Sequence, residues 1–230
     1  CVISRSNEAK ALGIPMGAPA FKYDSVFKKH NVHVFSSNFP LYGDMSSRVM
    51  SILSSYTPNI EIYSIDEAFL ELKGFDNYDL ENYGKEIRKK VLKWTGIPVS
   101  IGIAPTKALA KVANRIAKKF ENKTNGVYAL DSKEEREKAL KWLKIGDVWG
   151  IGLKHTDRLE SYNVNRAYDF IKLPDKWVRS EMSVVGLRLK KELEGESVLS
   201  LEENRSPKKA IATTRSFEKN LTKFEDLKER

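Results

Sequence analysis

The chain has 230 residues, with 40 Lys and Arg against 31 Asp and Glu, a formal charge of +9 and a hydrophobic share of 41%, which is enough for a real core and more length than one compact domain needs. No apolar run approaches the ~20 residues of a membrane helix, and the one cysteine, Cys1, excludes an internal disulfide and a thiolate metal cluster, as suits a reducing interior such as the cytoplasm. The basic balance favours a polyanionic partner, nucleic acid ahead of an anionic membrane, although a merely soluble basic protein accounts for the charge as well.

Residues 1–38 mix short apolar runs with turn residues. The opening "CVISRSNEAK" is neither a signal nor a transit peptide and reads like the middle of a strand, which suggests further chain upstream. "LGIPMGAP" punctuates the chain with two Gly and two Pro, and "NVHVFSSN" predicts a short strand. A helix follows over "LYGDMSSRVMSILSSY", with Leu41, Met45, Val49, Ile52, Leu53 and Tyr56 at helical spacing and Pro58 beyond its end. "IEIYSIDEAFLEL" predicts strand, break, strand. A second amphipathic helix spans Asp79 to Trp94 through Leu80, Tyr83, Ile87 and Val91. "IPVSIGIA" predicts a strand with Ile97, Val99, Ile101 and Ile103 on one face. A third helix starts after Pro105, with Thr106 as N-cap, and runs to about Phe120. "NGVYAL" predicts a short strand. Short helices then dominate to about Gly195, "EENRSPKK" reads as a linker, and "KAIATTRSFEKNL" as a strand-like segment just inside a new unit. The middle of the chain is therefore an α/β layer structure and the part after it a small helical domain.

Three features carry chemistry. Asp66 and Glu67 sit side by side in an otherwise apolar run. A buried carboxylate needs compensation, from a basic side chain, a solvent-exposed turn or a metal. Neighbouring residues of a regular strand point to opposite faces, so the two acids converge only if a hairpin tip lies there. Paired hard oxygens suit Mg²⁺, and two such ions about 4 Å apart clamp the oxygens of a phosphoryl transfer; a solvated turn explains the dipeptide equally simply. Asp24, Asp44 and Asp76 stand in helical or loop contexts and are poor further ligands. The second feature is the stripe Lys107, Lys111, Arg115 and Lys119 at i+4 spacing, flanked by Lys118, beside an apolar stripe of Leu109, Val112, Ile116 and Phe120. Repeated like charges cost helix stability, so an anion such as a phosphate should offset them, unless the face is simply solvated. The third is "IGDVWGIGLKHTDRLESY", the form of a helix-hairpin-helix, in which Gly150 and Gly152 let the backbone approach a phosphate and Lys154 adds charge; a plain helix-capping turn is the alternative. His30, His33 and His155 show no metal-ligand spacing, and Trp94, Trp142, Trp149 and Trp177 read as packing residues within helical patterns.

"YSIDEAFLEL", "SNEAKALGIPMGAP", "FSSNFPLYGDMSSRVM" and "IGIAPTKALAKVANRIAKK" together resemble the Y-family, or translesion, DNA polymerases along nearly the whole chain. The resemblance implies an α+β multidomain fold: small fingers over 1–38, a palm with an antiparallel sheet and helices over 39–128, a helix-hairpin-helix thumb over 129–203, and the linker and start of the little finger over 204–230. It implies error-prone, template-directed synthesis in the DNA-damage (SOS) response, with primer-template DNA and dNTP as substrates and two Mg²⁺ as cofactors. Asp66 and Glu67 would be catalytic metal ligands. Lys10, in "NEAK", and Lys118, in "IAKK", would grip the triphosphate, Ser4 would touch the phosphates, and Ile3 would roof the nascent base pair. Asn7 departs from a tyrosine that some relatives use. Lys111 and Arg115 would face DNA or nucleotide, and Gly150, Gly152 and Lys154 would hold backbone phosphates. By analogy the partners are a UmuD-like subunit, a recombinase filament and the sliding clamp, in a nucleoid-associated, cytoplasmic setting. The family's first catalytic carboxylate and aromatic steric gate are expected upstream of Cys1 and most of the little finger downstream, so this stretch alone is expected to be inactive. Two competing readings are a non-catalytic DNA-binding module and a palm-type nucleotidyl cyclase; the latter predicts no helix-hairpin-helix, so "GDVWGIG" counts against it.

Overall fold

The structure, a computed structural model, describes residues 1–202, 209–212, 214, 222 and 224–228. It forms two compact units, Cys1–Ser47 and Arg48–Arg230. In the first, the opening residues form no strand. Two backbone hydrogen bonds hold them instead, from the Val2 N–H to the Ala18 carbonyl (2.8 Å) and from the Gly17 N–H to the Val2 carbonyl (2.9 Å). Helix α1, Asn7–Ala11, starts at Ser6, whose side chain accepts from the Ala9 N–H. A 3-10 turn, Ala20–Tyr23, leads into α2, Asp24–Lys29. The strand expected over "NVHVFSSN" is absent. Val34 and Phe35 are exposed there, and no described segment supplies the partner ladder that a strand needs for its backbone groups. Helix α3, Phe39–Ser54, carries the chain from the first unit into the second.

The second unit begins with an antiparallel hairpin, β1 (Ile60–Ile62) and β2 (Ala68–Leu70), in the register Ile60↔Leu70 and Ile62↔Ala68. Helix α4, Leu80–Thr95, is capped by the Asp79 carboxylate at its start and by Gly96, at φ +73°, past its end. Strands β3 (Ile101–Ile103) and β4 (Val127–Ala129) pair in parallel, because helices α5 (Lys107–Lys119) and α6 (Glu121–Thr124) cross over between them. The expected antiparallel pairing thus holds for the first hairpin and is joined by a parallel pair. β3 is shorter than "IPVSIGIA" suggests. Ile97 and Val99 precede the ladder but still pack with Ile101 against Val49, Ile52, Ile87 and Val91. On the other face β3 meets α5 so closely that a Cβ on Gly102 would stand 2.1 Å from the Asn114 backbone nitrogen.

The helical part comprises α7 (Lys133–Trp142), a 3-10 turn (Ile145–Asp147), α8 (Leu153–Ser161), α9 (Ala167–Ile171) and α10 (Asp175–Glu194). The last is not short, but Ser183, at φ 62°, divides it into two halves. Ala113, Leu140, Ile145, Phe170, Val178 and Leu193 belong to one core that joins α5 to these helices. Trp142, Trp149 and Trp177 pack against that core. Trp149 does so from a turn rather than a helix. Trp94 does not pack: it is 64% exposed on the last turn of α4, where the Lys90 ammonium lies over its ring. Residues 203–208 of the "EENRSPKK" linker and most of "KAIATTRSFEKNL" fall outside the described residues. Of the latter, 209–212 and 214 are described and lie in no strand. α11, Phe224–Lys228, is a final short helix.

Candidate active site

The hairpin between β1 and β2 turns where the alternation breaks. The Tyr63 and Ser64 N–H groups both donate to the Glu67 carbonyl at 3.0 Å, so Asp66 and Glu67 leave the tip together. Both are exposed. The Ser64 hydroxyl donates to Asp66 Oδ1 at 2.6 Å, and Lys111 Nζ lies 2.5 Å from Glu67 Oε1. Water, a hydroxyl and an ammonium therefore compensate these two acids. The buried acid of this run is Glu61, one strand earlier and 7% exposed. It pairs with Lys107 and accepts from the Glu202 N–H at 2.8 Å. Lys107 also donates to the Ser200 carbonyl at 2.7 Å.

The basic stripe of α5 is thus largely neutralised from within. Lys107 faces Glu61, Lys111 faces Glu67, and Arg115 stands 2.6 Å from Asp147. Carboxylates from other elements thus offset the like charges at these three positions. Lys118 is exposed in the last turn. The helix itself is set by Thr106, whose hydroxyl accepts from the Leu109 N–H and donates to the Glu192 carbonyl. The Glu192 carboxylate, fully buried, accepts from the Ala108 N–H at 3.1 Å and from the Val198 and Leu199 N–H groups at 2.8 and 3.0 Å. A buried anion thereby meets the positive end of α5.

Between the 3-10 turn and α8, Gly150 adopts φ +86°, a region that favours glycine. Gly152 is the N-cap of α8 and supplies no side-chain cap. It is exposed, as are Leu153 and Lys154 beside it, so the N-terminal turn of α8 is open to solvent. Trp149 lies next to this turn, and its indole N–H donates to the Tyr63 hydroxyl at 3.1 Å. In the first unit, Lys10 is exposed on α1 and donates to the Asn7 side chain at 3.3 Å. Ile3 and Ser4 are exposed on the lead before α1.

Sequence reasoning missed Glu61 and Glu192. Glu61 lies between two isoleucines and reads as the outward residue of the alternation. Its register partner Phe69 is buried, and Glu61 shares that face. Glu192 had a usable signal, since it falls at i+3 from Leu189 on the apolar stripe of α10. Among the described residues, no group of three or more His, Cys, Asp and Glu gathers as a metal cluster, and no helix is long and apolar enough to cross a membrane.

The impB/mucB/samB family profile matches residues 1–115. The UmuC protein of Salmonella typhimurium is 43% identical over 230 residues, 100% of this chain and 54% of its own length. The chain therefore spans about half the length of the curated relatives it matches. The Dbh DNA polymerase in an insertion ternary complex superposes with a TM-score of 0.70 at 27% identity, over 86% of this chain and 56% of that one. A DinB-family error-prone DNA polymerase from Sulfolobus solfataricus gives 0.69 at 26%, over 87% and 60%. With the hairpin and the first turns of α5 inside the profile-matched stretch, the chain belongs to the impB/mucB/samB family and is similar to UmuC.

Proposed function

We propose that the full-length protein is a template-directed DNA polymerase of the translesion type, acting in the DNA-damage response, with the β1–β2 hairpin as its catalytic element. The observation that supports this most directly is the pair Asp66 and Glu67, exposed and adjacent on an antiparallel tip. Their hard oxygen donors fit a divalent cation, Mg²⁺ by preference, and these two residues would hold it. Such a cation supplies charge neutralisation at the reacting phosphate and a lower pKa for the attacking hydroxyl. Ser64 orients one Asp66 oxygen. Lys111, beside Glu67, adds positive charge next to the hairpin tip. Lys118, seven residues along the same face of α5 and therefore about 10 Å away, is proposed as a triphosphate contact. Lys10, Ser4 and Ile3 are carried as nucleotide contacts of the first unit on the resemblance. Gly150, Gly152 and Lys154 would hold DNA phosphates, with Arg115 at the edge of that surface, positioning the duplex without reading its sequence.

The same reading assigns fingers to 1–38, palm to 39–128, thumb to 129–203 and the start of the little finger to 204–230. An accessory UmuD-like subunit, a recombinase filament, the sliding clamp and a cytoplasmic, nucleoid-associated setting rest on the resemblance alone. A purely DNA-binding module would use the glycine turn but would have no task for two exposed, adjacent acids. Primer extension by the full-length protein tests the assignment. Asp66→Ala should lower the rate at least about a hundredfold while the protein still binds primer-template. Extension at the unsubstituted rate would remove the hairpin from catalysis.

A further inference from the structure

We propose that Trp149 is a positioning residue that sets the DNA-binding turn in register with the catalytic hairpin; this rests on the functional reading of both. Trp149 is anchored on one side against the core shared by α5 and the helical part. On its other side its ring meets Tyr63, centroids 5.6 Å apart at 75°, and Phe69 at 5.8 Å. Tyr63 and Phe69 themselves meet edge-on at 5.7 Å. These two residues bracket the acids: Tyr63 stands three positions before Asp66, and Phe69 two positions after Glu67. One indole therefore touches both arms of the hairpin at its tip. Its N–H donates to the Tyr63 hydroxyl, a directional contact that an apolar filler of equal size lacks.

The neighbour of Trp149 on the other side is Gly150, with the open N-terminus of α8 just beyond. A shift of the indole moves the phosphate-facing turn relative to Asp66 and Glu67. A second tie runs parallel to the first, from Arg115 on α5 to Asp147 at the end of the 3-10 turn. The same ring cluster aims Lys111, whose ammonium lies 5.3 Å from the Tyr63 ring centroid as it reaches Glu67. Hairpin, α5 and turn thus meet at one aromatic joint. Sequence reading placed Trp149 among ordinary packing residues because the joint's other half lies 86 positions away.

A positioning role differs from a packing role in what it changes. Binding contacts stay in place when the joint loosens, but the reacting groups lose register, and misplacement of about 1 Å can cost a hundredfold in rate. The test uses the full-length protein with Trp149→Ala, Trp149→Phe and Tyr63→Phe. Single-turnover primer extension is read per active enzyme after active-site titration, and primer-template Kd by fluorescence anisotropy. Trp149→Ala should lower the single-turnover rate about tenfold or more with Kd within about twofold. Trp149→Phe, which keeps a ring on the hairpin, should recover most of that loss, and Tyr63→Phe should match Trp149→Phe. An unchanged rate per active enzyme in Trp149→Ala would overturn the joint, as would a Kd rising in step with the rate loss. Asp66→Ala run alongside separates the two layers. If it abolishes extension while Trp149→Ala does not slow it, only the joint falls; if it extends normally, the hairpin reading falls and the joint with it.

Discussion

At the residue scale, the buried acid of the "EIYSIDE" run is not one of the two proposed for chemistry. Asp66 and Glu67 are exposed and partnered by groups that can move. Glu61 and Lys107 are enclosed, with side chains 9% and 11% exposed. A buried pair costs most when one member is left behind. Lys107→Met should therefore destabilise the protein by about 3 kcal/mol, read as a lower urea midpoint. Adding Glu61→Leu should recover most of the loss, since the stranded carboxylate goes with it. A double substitution no more stable than Lys107→Met would show that the pair acts mainly through its hold on Ser200 and Glu202. The split explains what could be read from sequence. Adjacent acids and a capping Thr106 are local patterns, and both were legible. Glu61 with Lys107, and Glu192 with Ala108, join positions 46 and 84 apart. No local periodicity encodes such pairs, so their partners could not be read.

At the element scale, helices α4 and α5 were legible because caps and apolar stripes lie within each segment. The "NVHVFSSN" strand was not, because a strand exists only with a partner. α5 carries Lys111, Arg115 and Lys118, and its height over the sheet is set by Gly102. Gly102→Ala would drive a methyl group into the Asn114 nitrogen and the Ala110 carbonyl, at 2.1 and 2.3 Å. The helix backbone cannot yield as a side chain would. A loss of more than about 3 kcal/mol is expected, read from thermal unfolding. Native stability would mean that the helix can ride outward freely. In α10 the buried Lys190 joins Asp175 and Glu194. Its hydrogen bond holds the Asp175 carboxyl below the ordinary 3.8. Burial pulls the Lys190 ammonium down, but its bonds to Asp175 and Glu194 outweigh that and raise it above 10.5. A lowered carboxyl stabilises above its unfolded value, and that stability is lost as pH falls through the folded one. A raised ammonium stabilises below its unfolded value and is lost as pH climbs through the folded one. Lys190→Met should flatten the stability profile below pH 3.8 and above pH 10.5. A mutant profile merely offset from the native one would contradict this.

At the scale of the whole molecule, a formal charge of +9 suggests a surface ready for a polyanion, yet the stripe that looked most basic is largely paired from within. Composition counts charges without saying which are already answered. On α5 three of the four stripe cations face carboxylates of other elements, whereas Lys154 is exposed beside the open N-terminus of α8. On the proposed binding of DNA, these would differ in what they release. A free cation that meets a phosphate displaces condensed counterions, lowering the slope of log K against log salt by about one for each contact. An ammonium or guanidinium that must first leave a carboxylate exchanges one anion for another. Primer-template affinity of the full-length protein, measured between low and moderate salt, separates the two. Lys154→Ala should reduce the magnitude of the slope by about one, and Arg115→Gln by less than about half of that. Equal losses would mean that Arg115 abandons Asp147 for the backbone when DNA arrives, and the tie between α5 and the glycine turn would then open on binding.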